Sequence, residues 1–339
     1  MFQLIFTGRN TPQPVNYGCM QDMMGGFFGL ELPDYGNFPY AESPNCAYLS
    51  SGRAAFEILL RNMPRPARLW MPRFICDTVL QAPARLGIPV LRYSCTGQLE
   101  PLIPLVEEND IVLLVNYFGL TGKAVKQAAA QLPGRCIVDA TTALYSPPLP
   151  GIPTFYSPRK FCGVADGGVA VAPFPLRHLP HDTAVSSNRS LHLLQRLECG
   201  AAKSLDTSEQ AEAALDAPPN HMSMLTRKLL RSIDFESAAT RRLLNYKTLH
   251  QALKDINRLY LPDSPSHAPM CYPLVCGIPD LRDTLIDAGI ALPLYWPEVI
   301  GQTNAADTDN AISRSLLPLP LDQRYAPADM QRLLSLIRG

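Results

Sequence analysis

From Ser50 onward the apolar positions alternate between two periods. Short, nearly continuous apolar runs are followed by longer stretches with helical spacing. Ser50 and Ser51 precede a stretch in which Ala55, Ile58 and Leu59 share one helical face, so a serine-capped amphipathic helix is expected there. Residues 68–72 read as a short strand, residues 78–86 as a helix interrupted by Pro83, and residues 89–93 as a strand. Residues 110–116 form a continuous apolar run, the kind buried on both faces of a parallel sheet, and residues 135–139 read as another buried strand that ends in an acid. A helix over 123–131 lies between them, and strands over 153–157 and 167–172 complete the series. This rhythm predicts an α/β fold with a mostly parallel sheet flanked by helices and right-handed crossovers. Ligands in such sheets sit beyond the carboxyl ends of the strands, where Asn116, Asp139 and Ser157 fall.

Three regions flank this series. Residues 1–45 are irregular, with Gly25, Gly26 and several prolines, and read as an N-terminal arm lying over the body or over a partner subunit. Residues 176–222 form a long polar excursion. Residues 224–256 carry Leu229, Ile233, Leu243, Leu244 and Leu253 at mostly helical spacing, which predicts one long helix broken or bent at most once. A strand over 271–276, a helix over 279–288 and a closing helix over 327–337 predict a small C-terminal α/β domain. The expected organisation is therefore an arm (1–45), a large domain (46–230), and a connecting helix with a small domain (231–339).

Composition narrows the function classes. The 339 residues, 47% hydrophobic and 18% charged, describe a globular chain with a large core. The 33 prolines are spread along the chain and read as rigid loops. Thirty basic and thirty acidic residues cancel, so neither a nucleic-acid groove nor a polybasic membrane patch is expected. The nine cysteines form no Cys-x-x-Cys pair, and residues 1–7 lack a basic segment leading into a long apolar core. Reduced thiols and a cytoplasmic location are the expectation. No apolar run reaches the length of a membrane span.

Two groupings carry chemistry. Asp139 closes a buried strand, and Lys160 follows 21 positions later in Ser157-Pro158-Arg159-Lys160-Phe161, ahead of the glycine-rich return at Gly163, Gly167 and Gly168. A lysine amine able to form a Schiff base, with an acid able to hold a ring nitrogen protonated, is what pyridoxal-phosphate chemistry needs. Taken singly, each residue reads as an ordinary strand-end acid or surface lysine. Upstream, Ser50-Ser51-Gly52-Arg53 opens a helix whose N-terminus suits a phosphate. The order of loop, acid and lysine makes the set informative. Elsewhere, His178 and His181 in a proline-flanked loop are poor metal ligands, Cys76 lacks a nearby histidine to make it a nucleophile, and Asp166 reads as a turn residue.

The same order resembles the DegT/DnrJ/StrS group of pyridoxal-phosphate-dependent sugar aminotransferases, of fold type I. Residues 48–60 are similar to that family's phosphate loop and helix, and residues 70–93 to its next strand and helix. Asn116-Tyr117-Phe118-Gly119 is similar to its central loop, Asp139-Ala140 to its acid, and residues 157–168 to its lysine loop. Arg241-Arg242-Leu243-Leu244-Asn245-Tyr246 resembles its long helix, and Leu317-Pro318-Leu319-Pro320 the segment before its last helix. The resemblance implies Lys160 as Schiff-base lysine and proton shuttle, and Asp139 as partner of the pyridinium. It implies Ser51, Gly52, Arg53 and Ser157 around the phosphate, Phe74 or Cys76 at the ring face, and Asn116 at the ring hydroxyl. It further implies a homodimer with a shared active site, in which Asn188 or Asn220 reaches the partner's phosphate. Thr142 stands where the family has Gln or His, Thr154 competes with Ser157 for the serine position, and residues 176–222 match poorly.

The function expected on this basis is transfer of an amino group from glutamate to a nucleotide-linked keto sugar. The alternatives are another pyridoxal-phosphate reaction, such as a lyase, dehydratase or acyl transferase, and a non-catalytic descendant of the fold.

Overall fold

The computed structural model describes residues 28–36, 43, 45–215, 218–304 and 307–339. Met1–Pro33 and Asp34–Gly339 form separate units, and in the first the described residues 28–33 have no regular secondary structure. Most of the expected arm therefore lies outside the described residues. Its end is fixed within the second unit, where Tyr35 donates its amide to Arg231 and Asp34 pairs with the Arg231 guanidinium at 2.6 Å.

The chain enters the main sheet with β1 (Cys46–Leu49), α1 (Gly52–Asn62) and β2 (Arg68–Pro72). A 3-10 turn (Asp77–Leu80) leads into α2 (Gln81–Arg85), then β3 (Val90–Tyr93) and β4 (Asp110–Val115). After α3 (Gly122–Ala130) come β5 (Cys136–Asp139), β6 (Thr154–Tyr156) and β7 (Gly168–Val171). The strand order is β1-β7-β6-β5-β4-β2-β3. Neighbours from β3 to β6 are parallel, as expected from the apolar runs, and all six residues of β4 are buried. β7 runs antiparallel to both β6 and β1. α1 lies on the sheet through Phe56, whose ring stacks on Phe155 of β6 with centroids 5.0 Å apart.

The excursion is not structureless. It holds α4 (Leu191–Cys199) and α5 (Leu205–Ala213), whose faces bury almost nothing; Ala211 is the one buried residue of α5. The long helix is broken once, into α6 (Met224–Arg231) and α7 (Phe235–Leu253). Asp234 restarts it by accepting the Ser237 amide at 2.8 Å, a cap that satisfies one orphan donor.

The C-terminal part contains β8 (Tyr272–Leu274), α8 (Leu281–Asp287), α9 (Pro297–Gln302), α10 (Thr308–Ser315), β9 (Leu317–Leu319) and α11 (Pro327–Arg338). β8 and β9 form a two-stranded antiparallel sheet. It builds a second core with Tyr246 and Leu249 of α7, Leu285 of α8 and Leu333 of α11. Arg242 of α7, 1% exposed, bonds the carbonyls of Pro269 and Met270 at 3.1 and 3.0 Å and the Gln323 side chain at 2.9 Å. Its guanidinium lies 4.8 Å from the centre of the Phe161 ring, and Gln323 donates to the Phe161 carbonyl at 2.9 Å. The C-terminal part thereby grips the chain one residue past Lys160.

Candidate active site

β5 and β6 are adjacent and parallel, so their carboxyl ends share one edge of the sheet. That brings Asp139 and Lys160 together despite their separation in sequence. Asp139 ends β5, 3% exposed, and accepts the Thr141 amide at 2.7 Å. Past β6, Pro158 starts a tight turn in which its carbonyl takes the amides of Phe161 and Cys162, both at 2.9 Å. The turn directs Lys160 back, and its Nζ donates to Thr141 Oγ1 at 3.0 Å. Lys160 as a residue is exposed to solvent, while protein atoms crowd around its ammonium.

Electrostatics follow from that ring of protein. Burial pulls the Lys160 ammonium below the ordinary lysine value; Asp139, Cys76 and Glu212 oppose the shift without cancelling it. Burial likewise holds the Asp139 carboxyl above its ordinary value, against the pull of Lys160 and the Thr141 hydrogen bonds.

The start of α1 meets the same place. Ser51 caps the helix by accepting the Ala54 amide at 3.1 Å. A methyl group on Gly52 would stand 3.2 Å from the Thr141 methyl and 3.3 Å from Ser157 Cβ, so the helix N-terminus, Thr141 and Ser157 converge. The contact with β7 is closer still: Gly167 donates to the Ser50 carbonyl at 2.8 Å, and a Cβ on Gly168 would lie 1.9 Å from the Ser51 carbonyl oxygen. Of the two competing hydroxyls, Ser157 is the one beside Gly52. Thr154 lies within β6 and donates to the Ile152 carbonyl at 3.2 Å. Asn220 sits by the same loop within one chain, its carbonyl accepting the Ser50 amide at 2.8 Å, while Asn188 lies in an exposed turn.

Arg53 leaves the helix start and meets Gln81 and Glu212, each at 3.3 Å. The other oxygen of Glu212 meets Arg159 at 2.5 Å. Burial alone would raise the Glu212 carboxyl; Arg159, Arg53 and Lys160 outweigh it, and its pKa lies below the ordinary value. Neither Thr141 nor Glu212 stood out in the sequence. Thr141 had one usable signal, its place two residues past a strand-end acid. Glu212 had none, because α5 shows no apolar face to orient it.

The other expected residues divide. Cys76 is half-buried within electrostatic reach of Lys160, its sulfur 3.1 Å from Thr78 Oγ1. Phe74 is buried in an aromatic cluster, its centroid 4.1 Å from Trp296 and 5.6 Å from Tyr117. Val115 pairs with Asp139 in register, so strand alternation places the following residues, Asn116 and Ala140, on the opposite face. Asn116 points at the start of α3, its Nδ2 3.5 Å from where a Gly122 Cβ would stand. It lines a recess of about 830 Å³ together with Val138, Ala140 and Lys123, to which neither Asp139 nor Lys160 contributes. Thr142 is committed to the backbone: its hydroxyl donates to the Asn116 carbonyl at 3.0 Å and accepts the Phe118 amide at 3.1 Å. Asp166 is more than a turn residue. It is fully buried and accepts the Ser223 amide at 2.9 Å, the Ser223 hydroxyl at 2.7 Å and the Thr226 hydroxyl, pinning the start of α6 to the loop before β7. A buried carboxylate is retained only with such a complete set of donors, which sequence spacing does not reveal.

No protein-family model matches the chain, and no curated protein matches it. Solved structures do. The sugar aminotransferase CalS13 from Micromonospora echinospora is 15% identical with a TM-score of 0.62, covering 87% of this chain and 87% of its own. DesV from S. venezuelae is 17% identical with a TM-score of 0.61, covering 88% and 85%. The PLP-form of Spr1654 from Streptococcus pneumoniae, described as a sugar aminotransferase, is 16% identical with a TM-score of 0.61, covering 87% and 86%. With its single antiparallel strand in a parallel sheet and its lysine turn at the sheet's carboxyl edge, the chain has the fold of these sugar aminotransferases, the fold type I arrangement.

Proposed function

We propose that the chain is a pyridoxal-phosphate-dependent aminotransferase, moving an amino group from glutamate to a nucleotide-linked keto sugar. The observation that carries this reading is the meeting of Lys160, Asp139 and the α1 N-terminus around Thr141. Three features fit the cofactor: a buried acid for the ring nitrogen, an amine with a lowered pKa, and a helix start whose glycine leaves close access for a phosphate. The similarity to structures named as sugar aminotransferases supports the same reading.

Bound there, the cofactor supplies an electron sink for charge developing at the substrate carbon. The chain's residues do the rest. Lys160 Nζ holds the cofactor and carries the proton at the reacting carbon, a task its lowered pKa suits. Asp139 keeps the ring nitrogen protonated. Thr141 fixes both groups, through its hydroxyl and its amide. Ser51, Gly52 and Ser157 receive the phosphate. A homodimer in the cytoplasm, with lobes at 46–230 and 231–339, completes the proposal.

One observation favours a second reading, a different pyridoxal-phosphate reaction such as a lyase or acyl transfer. Thr142 occupies the position where the sugar aminotransferases have Gln or His, and its hydroxyl is consumed by backbone. The experiment has two steps. Borohydride is added to protein mixed with pyridoxal phosphate, and the labelled peptide is identified by mass; label on Lys160, lost in Lys160→Ala, is expected. Glutamate is then added to the loaded protein, and conversion of the cofactor to its amine form is followed by absorbance. No label at Lys160 rejects both readings; label without conversion leaves the second.

A further inference from the structure

Glu212 reaches the active-site edge from α5, a helix of the excursion at 176–222, where the family resemblance is poor. Its carboxylate is divided between two guanidiniums, with Oε1 on Arg53 at 3.3 Å and Oε2 on Arg159 at 2.5 Å. Arg159 adjoins Lys160 in the chain, Arg53 adjoins Gly52, and the Lys160 ammonium feels both Glu212 and Arg159. A carboxylate thus sits between two arginines at the mouth of the lysine site.

The fit is incomplete. Arginine binds a carboxylate best through two parallel N–H donors. Glu212 takes only the terminal nitrogen of Arg159, and Arg159 Nε is buried with no acceptor. A buried N–H without a partner is unfavourable, because it has given up water and gained no acceptor. Glu212 is itself 55% exposed, on a helix whose one buried residue is Ala211, so little packing holds it in place. A mobile carboxylate that came in at the full fork of Arg159 would satisfy the donor that Glu212 leaves unused.

We propose that Glu212 is an internal stand-in for a substrate carboxylate: Arg53 and Arg159 form a carboxylate-binding pair, and a dicarboxylate of the glutamate class displaces Glu212 to occupy it. This deepens the aminotransferase reading and rests on it for the identity of the ligand. The displacement makes and breaks ion pairs only. While Glu212 is seated the pair is closed to ligand, so apparent affinity falls by the fraction of molecules in which the pair is free. Loss of Glu212 also removes an anion beside Lys160.

The test is calorimetric titration of glutarate, an unreactive dicarboxylate, into the full-length chain in the presence of pyridoxal phosphate. Glu212→Gln is expected to tighten glutarate binding about tenfold, Glu212→Asp to fall between it and wild type, and Arg159→Gln to abolish binding. Equal or weaker binding by Glu212→Gln, or full binding by Arg159→Gln, overturns the proposal. Borohydride labelling of Lys160 in the same samples separates the two readings. Label with no effect of Glu212 on glutarate rejects the stand-in alone; absence of label rejects the cofactor reading, while the glutarate affinities still decide the stand-in.

Discussion

The Lys160 ammonium donates to the Thr141 hydroxyl at 3.0 Å, and the Thr141 amide in turn donates to Asp139 at 2.7 Å. One small residue thus connects the two ionisable groups on which the chemistry depends. A hydrogen bond accepted from an ammonium favours its charged form. Thr141→Val removes that acceptor and lowers the Lys160 pKa further. A hydrogen bond to a charged group is worth about 1.5–3 kcal/mol, and exposure of Lys160 to solvent reduces what its loss costs. The rate at which pyridoxal phosphate labels Lys160, measured against pH, should reach half its maximum at lower pH in the variant.

Lys160 also ties stability to pH. Its folded pKa lies below the ordinary value of 10.5, so across the interval between the two the unfolded chain binds more protons than the folded one. Stability therefore rises with pH through that interval, and the penalty is fully present below it. Lys160→Met should be more stable than wild type at neutral pH, and the difference should shrink as pH climbs toward 10.5. Urea unfolding of both proteins at a series of pH values measures this.

Gly168 leaves no room for any side chain, because a Cβ there would fall 1.9 Å from the Ser51 carbonyl oxygen. The obstacle is backbone, which cannot rotate aside. Gly168→Ala should cost about 3 kcal/mol through forced separation of β7 from the start of α1. The shift in urea midpoint reports the cost, and weaker retention of pyridoxal phosphate than of pyridoxal should accompany it.

Asp166 gathers three donors from the start of α6 in a fully buried position. Asp166→Ala leaves the buried Ser223 amide and Thr226 hydroxyl without their acceptor, while the Ser223 hydroxyl can turn to Ser186 Oγ at 2.7 Å. A loss of about 1–3 kcal/mol is expected from the stranded donors, with Asp166→Asn recovering part of it because the amide oxygen still accepts. Thermal or denaturant unfolding of the two variants gives the order.

β4 and β5 were legible because their runs are apolar and nearly continuous, a pattern that two-sided burial maintains. β1 was not, since Cys46–Leu49 is four residues long and half of them are partly exposed. α4 and α5 escaped for a related reason: helices that bury almost nothing leave no apolar stripe to read. The acid, the lysine and the phosphate loop could be read as an ordered set. Thr141 and Glu212 act through spatial proximity that spacing does not encode. For Asn116, position at a strand end was visible, and the face its side chain takes emerged only from the register of β4 with β5.

β1 has one partner in the sheet, and that partner arrives late. Cys46 pairs with Val171, roughly 125 residues further on, which at ribosomal speeds of 5–20 residues per second is a wait of roughly 6–25 s. During that interval the first strand and the helix start behind it emerge with no edge to join. The loop proposed to receive the phosphate is thus closed only after β7 has been made, and closing so long a loop places it among the slow events of folding. A nascent chain halted before Gly168 would expose β1 as an open edge, ready to pair with another chain.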